Sequence, residues 1–112
     1  MAFRGDGTLD EGFGTGGFTQ ITEATNNAPN GLAELPNGEI VVAGSIWDDI
    51  TSKLVLWVLR PDGTMDANAK RFVLPFKSGA TSALLDNNGL LIGGWADSPI
   101  TGADMVLLRF TF

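Results

Sequence analysis

The chain consists of short apolar runs separated by glycine, asparagine and aspartate. Eight runs predict β-strands, four in each half of the chain: residues 18–22, 31–35, 39–44 and 53–59, then 72–76, 82–85, 90–95 and 104–109. Turn residues recur at intervals of about 8–12 residues, which is typical of sandwiches, barrels and propellers. No helical periodicity competes with this pattern. The sequence therefore predicts an all-β fold.

Two of the predicted strands are apolar at every position, residues 40–43 and 90–93. Continuous apolar runs indicate burial on both faces of a sheet. Stacked sheets would produce this pattern, and so would the core of a sandwich. Residues 54–59 are also entirely apolar. One face of that strand is expected to pack inward and the other to meet a neighbouring loop or a partner.

Asparagine and glycine mark the hairpin turns. Asn37-Gly38 separates two apolar runs, and this dipeptide is a strong hairpin signal because both residues accept the positive φ of a type I′ turn. The corresponding turn in the second half, residues 86–89, has its glycine one position later.

The two halves are copies of one unit. RGDGTLD at residues 4–10 returns as RPDGTMD at residues 60–66, with five of seven positions identical. Residues 31–44 correspond to 81–94 at an offset of 50, and residues 56–60 to 105–109 at an offset of 49. Repeats of this length are typical of architectures in which stacked units bury a common core. We interpret residues 1–112 as one domain with units at about residues 5–60 and 61–112.

The first unit resembles a known repeat. DGTLD at residues 6–10, GFGTGG at residues 12–17 and LAELPNGEIVVAG at residues 32–44 are similar, in order and spacing, to the delta-60 repeat of bacterial proteins. The second unit lacks the glycine-rich tract. The resemblance implies two four-stranded antiparallel β-propeller blades, and it implies no catalytic residues.

Two blades do not close a propeller, which usually has about four to eight. Either the chain is part of a longer repeat protein, or several copies form a homo-oligomeric ring, as a trimer of six blades or a tetramer of eight. The apolar residues at the chain ends are candidates for the contact between copies. They are Phe3, Phe110, Thr111 and Phe112, with Phe110 to Phe112 docking near the first residues of the next copy.

Composition argues against several functions. The chain has no histidine, cysteine or tyrosine, so Ser–His and Cys–His catalysis and histidine zinc sites are excluded. A hydrolase would need two carboxylates about 5–9.5 Å apart. The net charge of −6 disfavours nucleic acid, and no apolar run is long enough to span a membrane. The start of the sequence carries no signal pattern, so a cytoplasmic location is the expectation.

The acids have a structural explanation. Asp6, Asp62 and Asp86 lie in predicted turns, where an aspartate caps its own turn. The spacing of Asp6, Asp10 and Glu11, and of Asp62, Asp66 and Asn68, does not match a calcium loop. No metal and no cofactor are expected, and the chain is interpreted as a non-enzymatic binding module.

Two tryptophans lie near carboxylates after the apolar strands. These candidate binding residues are Trp47, Asp48 and Asp49 in the first unit, and Trp95 and Asp97 in the second. An exposed indole beside a carboxylate suits a carbohydrate, with the ring against the sugar C–H face and the acid accepting hydroxyls. Aromatic residues also anchor protein interfaces, and a tryptophan at a strand end also serves to cover a core. Trp57, inside an apolar strand, is expected to be core.

Overall fold

The computed structural model describes residues 1–21, 26–65, 71–87, 89–98 and 102–111. These residues contain strands and no helix, which confirms the all-β prediction. No helix in the described ranges is therefore long and apolar enough to cross a membrane. The strands are β1 (Asn26–Glu34), β2 (Ile40–Trp47), β3 (Ser52–Leu59), β4 (Arg71–Val73), β5 (Ser78–Asp86), β6 (Gly89–Ser98) and β7 (Gly102–Phe110).

The strands form two antiparallel sheets. Sheet 1 has the order β1-β2-β3-β4 and sheet 2 the order β5-β6-β7. β4 belongs to the second sequence unit but pairs with β3, and the backbone nitrogen of Leu74 extends this pairing by donating to Leu54 O at 3.0 Å. The boundary between the sheets therefore lies between Val73 and Ser78, and not between residues 60 and 61.

One predicted strand is absent and the others have changed limits. Residues 18–21 form no strand, and Phe18 makes only an isolated bridge with Thr15; Thr22 lies outside the described residues. The strand prediction was wrong here because the preceding glycine tract folds back on itself, with Gly14, Gly16 and Gly17 at positive φ. The strand predicted at 72–76 ends at Val73, two residues before a proline that has no N–H to donate.

The turn at residues 35–39 is not of type I′. Gly38 has a φ of 87°, and no residue other than glycine has positive φ in the described part of the chain. The nitrogen of Gly38 donates to Leu35 O at 2.9 Å, and the nitrogen of Leu35 donates to Glu39 O at 2.8 Å. This is a type I turn followed by a left-handed glycine, which suits Pro36 because its ring fixes a negative φ.

The two central strands of sheet 1, β2 and β3, are buried on both faces. The facing side of this sheet packs against sheet 2 through Val41, Ala43, Leu54 and Leu56 of sheet 1 and Ala80, Leu90 and Ile92 of sheet 2. Its far side carries Val42, Val55, Trp57 and Leu59, packed with residues that include Ile21 and Met65. The two-face prediction is confirmed for β2, and β3 is buried in the same way. In β6 only the side that faces sheet 1 is fully buried.

The pairing registers change two correspondences between the sequence units. In the first strands the offset is 51 instead of 50, because Ala33 pairs with Val41 and Leu84 pairs with Leu91. Ala43 pairs with Leu56, and its counterpart Gly93 pairs with Leu107. Leu56 therefore corresponds to Leu107, two residues beyond the match predicted from sequence. The offset of 49 aligned Arg60 with Arg109, but these arginines lie in different settings. Arg109 stays within β7, where its guanidinium donates to both carboxylate oxygens of Asp86 at 2.7 and 3.0 Å.

Candidate functional site

The loop between β2 and β3 places Asp48 directly after Trp47. Asp48 Oδ1 accepts hydrogen bonds from the backbone nitrogens of Ile50 and Thr51, each at 2.8 Å. The bonds from Thr51 and Ile50, together with the nearby charge of Lys53, hold the pKa of Asp48 below its ordinary value. The carboxylate is thus ionised at neutral pH. The same two hydrogen bonds hold it in a fixed position within the loop.

Trp47 is the last residue of β2 and is 38% exposed. It lines a shallow cavity of about 120 Å³ with Ile46, Asp48, Thr51 and Lys53. Typical small-molecule sites measure about 300–1,000 Å³. This cavity could hold one edge of a ligand, such as part of a sugar ring, beside one carboxylate and one ammonium. Asp49 is exposed in the same loop and does not line the cavity.

Trp95 has a different position in its sheet. Because Gly44 pairs with Val55 and Gly94 with Val106, Trp95 corresponds to Ser45 and not to Trp47. It is half-buried and pairs with Met105. A Cβ added to Gly79 would lie 2.5 Å from the indole nitrogen, so Gly79 provides the space for this ring. Both tryptophans lie within strands, although the strand predicted at residues 39–44 would have placed Trp47 beyond its end.

Asp97 faces Lys77 instead of joining the Trp47 group. Its carboxylate lies 3.6 Å from Lys77 Nζ, and its backbone nitrogen donates to Lys77 O at 2.9 Å. Neither Trp95 nor Asp97 lines the cavity beside Trp47. The structure therefore brings together Trp47 and Asp48, and separates them from the second pair.

The candidate contact residues at the chain ends differ in their exposure and in their contacts within the chain. Phe3 is 63% exposed, and Thr111 is also exposed. Phe110 is engaged within its own chain, since its ring meets Phe72 edge-on with centroids 5.2 Å apart. This contact gives Phe110 a partner in β4 of its own chain. Phe112 is outside the described residues.

The repeated turns use their aspartates as predicted. Asp6 Oδ1 accepts from the nitrogen and hydroxyl of Thr8 at 3.0 and 2.6 Å, and Asp62 Oδ1 accepts from those of Thr64 at 2.9 and 2.6 Å. The threonine hydroxyl is the main cause that lowers the pKa of each aspartate. In the described ranges no group of three acids, histidines or cysteines could hold a metal ion.

Sequence reasoning did not identify the large cavity on the far side of sheet 1. It has a volume of about 900 Å³ and is open to solvent. Leu32, Ile40, Val42, Trp57 and Leu59 line its wall on sheet 1, and residues that include Phe13, Thr19 and Ile21 line the wall formed by the N-terminal segment. Trp57 is 1% exposed, which confirms it as core. The continuous apolar runs of β2 and β3 were the available signal for this surface.

Comparison with protein-family models, with curated proteins and with solved structures found no match for this chain. The resemblance to the delta-60 repeat stays a prediction from motifs.

Proposed function

We propose that this chain is a non-enzymatic binding or scaffold module whose two sheets are neighbouring blades of a β-propeller, closed into a ring by further copies of the chain. One observation carries the proposal. The two sheets pack face to face with their strands in sequential order, and the chain passes from β4 at the edge of sheet 1 to β5 at the opposite edge of sheet 2. This arrangement leaves the outer side of sheet 2 open to a further blade, and on the outer side of sheet 1 it leaves Leu32 exposed beside a cavity of about 900 Å³.

The first strands of the two sheets lie next to each other, as the innermost strands of adjacent blades would. Asn30 Nδ2 in β1 donates to Ala80 O in β5 at 2.7 Å. Gly31 allows this approach, because a Cβ there would lie 2.6 Å from the backbone nitrogen of Ala83. Glycine is favoured where two backbones come this close.

Carbohydrate is the ligand class that the Trp47 loop supports best. An exposed indole, a preorganised carboxylate and an ammonium group surround one shallow cavity. Such a site would bind weakly alone. A ring of three or four copies would repeat it, and multivalent binding raises avidity without new contacts.

A protein-interaction module, such as an adaptor or immunity-type protein, is the second candidate. The outer side of sheet 2 exposes Leu84, Met105 and Leu107, which are 63%, 82% and 67% accessible. Contiguous apolar patches of this kind mark interaction surfaces. The same surface would pack against a neighbouring blade if the chain were part of a longer repeat protein.

The native mass of the purified chain tests the assembly. Light scattering across a dilution series is expected to give a stable trimer or tetramer. A folded monomer at all concentrations would overturn the ring.

A glycan array tests the carbohydrate class separately. Binding is expected for the parent and is expected to be lost in Trp47→Ala. Ile50→Ala is the matched control, because Ile50 is 90% exposed in the same loop and does not line the cavity. Absence of any glycan binding by an assembled parent would exclude the carbohydrate class and leave the scaffold.

A further inference from the structure

Equivalent residues of the two sheets differ sharply in exposure. By the pairing registers, Leu54 corresponds to Met105, Leu56 to Leu107 and Ala33 to Leu84. The members of these pairs in sheet 1 are 0%, 5% and 9% exposed, whereas their counterparts in sheet 2 are 82%, 67% and 63% exposed. We call the surface of Leu84, Met105 and Leu107 the open side of sheet 2. The corresponding side of sheet 1 is covered by sheet 2 itself.

The far side of sheet 1 shows the opposite imbalance at its first strand, β1. Leu32 lies there and is 66% exposed. Its counterpart Ala83 is partly buried, because it packs in the core between the sheets. The cavity of about 900 Å³ lies in front of Leu32, between sheet 1 and the N-terminal segment. This side of sheet 1 therefore faces an apolar cavity, whereas the equivalent side of sheet 2 packs against sheet 1.

Sheet 2 also lacks an edge strand that sheet 1 has. In sheet 1 the tract after the Asp62-Gly63 turn becomes β4, and Phe72 pairs with Leu56. The equivalent tract after the Asp6-Gly7 turn contains Phe18, which is 46% exposed, the same fraction as Phe72. In the described residues no strand pairs with the outer edge of β7. A nine-residue open edge with apolar side chains is a template for strand addition.

We propose that sheet 2 of one copy docks, open side first, into the cavity on the far side of sheet 1 of a second copy, and that residues 18–20 of the second copy pair with β7 as its fourth strand. This inference rests on the proposed ring and names the contact that closes it. By analogy with Phe72 and Leu56, Phe18 of the second copy lies opposite Leu107. The contact joins two different surfaces, so it propagates from copy to copy and closes when the rotation permits.

Disulfide trapping tests this register, and the chain contains no cysteine that could interfere. Phe18→Cys and Leu107→Cys are prepared as separate single variants and mixed under mild oxidation. Cross-strand pairs place Cβ atoms about 4.5–5.5 Å apart, close to the separation that a disulfide spans. A covalent heterodimer of the two variants is expected. Ile50→Cys mixed with Leu107→Cys is the matched control and is expected to give none.

A second variant measures the docking without cross-links. Leu107→Arg is expected to fold, because Leu107 is 67% exposed within the chain, and to run as a monomer because the charge would be buried at the contact. Ile50→Arg, at a residue 90% exposed in the β2–β3 loop, is expected to keep the mass of the parent.

The outcomes separate this contact from the ring itself. Trapping at Phe18 and Leu107 together with monomeric Leu107→Arg supports the docking. If the parent is an oligomer but the cysteine variants form no cross-link and Leu107→Arg stays oligomeric, the docking is overturned. The ring would then be closed through another surface. A monomeric parent overturns both proposals.

Discussion

Ser78 Oγ accepts a hydrogen bond from the backbone nitrogen of Leu54 at 2.8 Å and donates one to Phe76 O at 2.9 Å. Ser78 begins β5 and is fully buried, whereas Leu54 lies in β3. The hydroxyl therefore joins the two sheets at the point where the chain crosses between them.

Removal of this hydroxyl should destabilise the fold. Ser78→Ala would leave the buried nitrogen of Leu54 without its partner, at a cost of about 1–3 kcal/mol in the free energy of unfolding. Urea denaturation measures the change. Ser82→Ala, at an exposed residue of the same strand, is the matched control and should alter the free energy by less than about 0.5 kcal/mol. Equal effects of the two substitutions would mean that the hydroxyl does not link the sheets.

Gly44 and Gly94 should tolerate no side chain. Each lies beside a register shift, where an added Cβ would collide with a carbonyl oxygen of the neighbouring strand, that of Ala28 or of Gly79. We expect Gly44→Ala and Gly94→Ala each to cost about 1–3 kcal/mol, because a backbone contact has to shift.

Gly5→Ala is the control for these glycines. A Cβ at Gly5 has nothing within 4 Å, and the φ of Gly5 is not in the left-handed region. Its effect on the urea midpoint should be close to zero. If Gly44→Ala behaved like Gly5→Ala, the close strand approach would be refuted.

Acid should weaken the fold through the repeated turns. The folded-state pKa values of Asp6 and Asp62 lie below the ordinary 3.8, so the unfolded chain binds more protons. Their contribution is present above pH 3.8 and is lost as the pH falls through the lowered values. The urea midpoint of the parent should therefore decline below about pH 4.

Asp6→Asn with Asp62→Asn should reduce this acid dependence. An asparagine can still cap the turn, as Asn37 Oδ1 does for the nitrogen of Glu39 at 2.9 Å, but it does not titrate. Ile50→Ala, at an exposed residue outside these turns, changes no titrating group and should leave the slope against pH unchanged. A slope that is the same in all three proteins would assign the acid response to other groups.

Tryptophan fluorescence should separate Trp47 from Trp57. Trp47 is 38% exposed and Trp57 is 1% exposed. Trp47→Phe should remove emission that acrylamide quenches readily, and Trp57→Phe should remove emission that is protected. Poor quenching of Trp47 in the parent would contradict its assignment to an accessible sugar site.

Part of the candidate site followed from sequence. Asp48 follows Trp47 directly, so their proximity is local, and the loop hydrogen bonds fix it. Trp95 and Asp97 lie apart from this group, because Trp95 takes the position of Ser45 in its strand and Asp97 faces Lys77. The cavity in front of Leu32 involves residues from both the N-terminal segment and sheet 1. The local sequence pattern does not indicate which distant segments of the chain contact each other.

The all-β fold, most of the strands and the turns capped by Asp6 and Asp62 could be predicted from the residues alone. These features depend on near neighbours in the chain, such as continuous apolar runs and the positive φ of a turn glycine. Three features required the folded structure: β4 joins sheet 1, Leu56 corresponds to Leu107, and Leu56 is covered whereas Leu107 is exposed. These features depend on pairing between segments far apart in the chain. The repeat shows which segments are equivalent, but it does not show which strands they pair with.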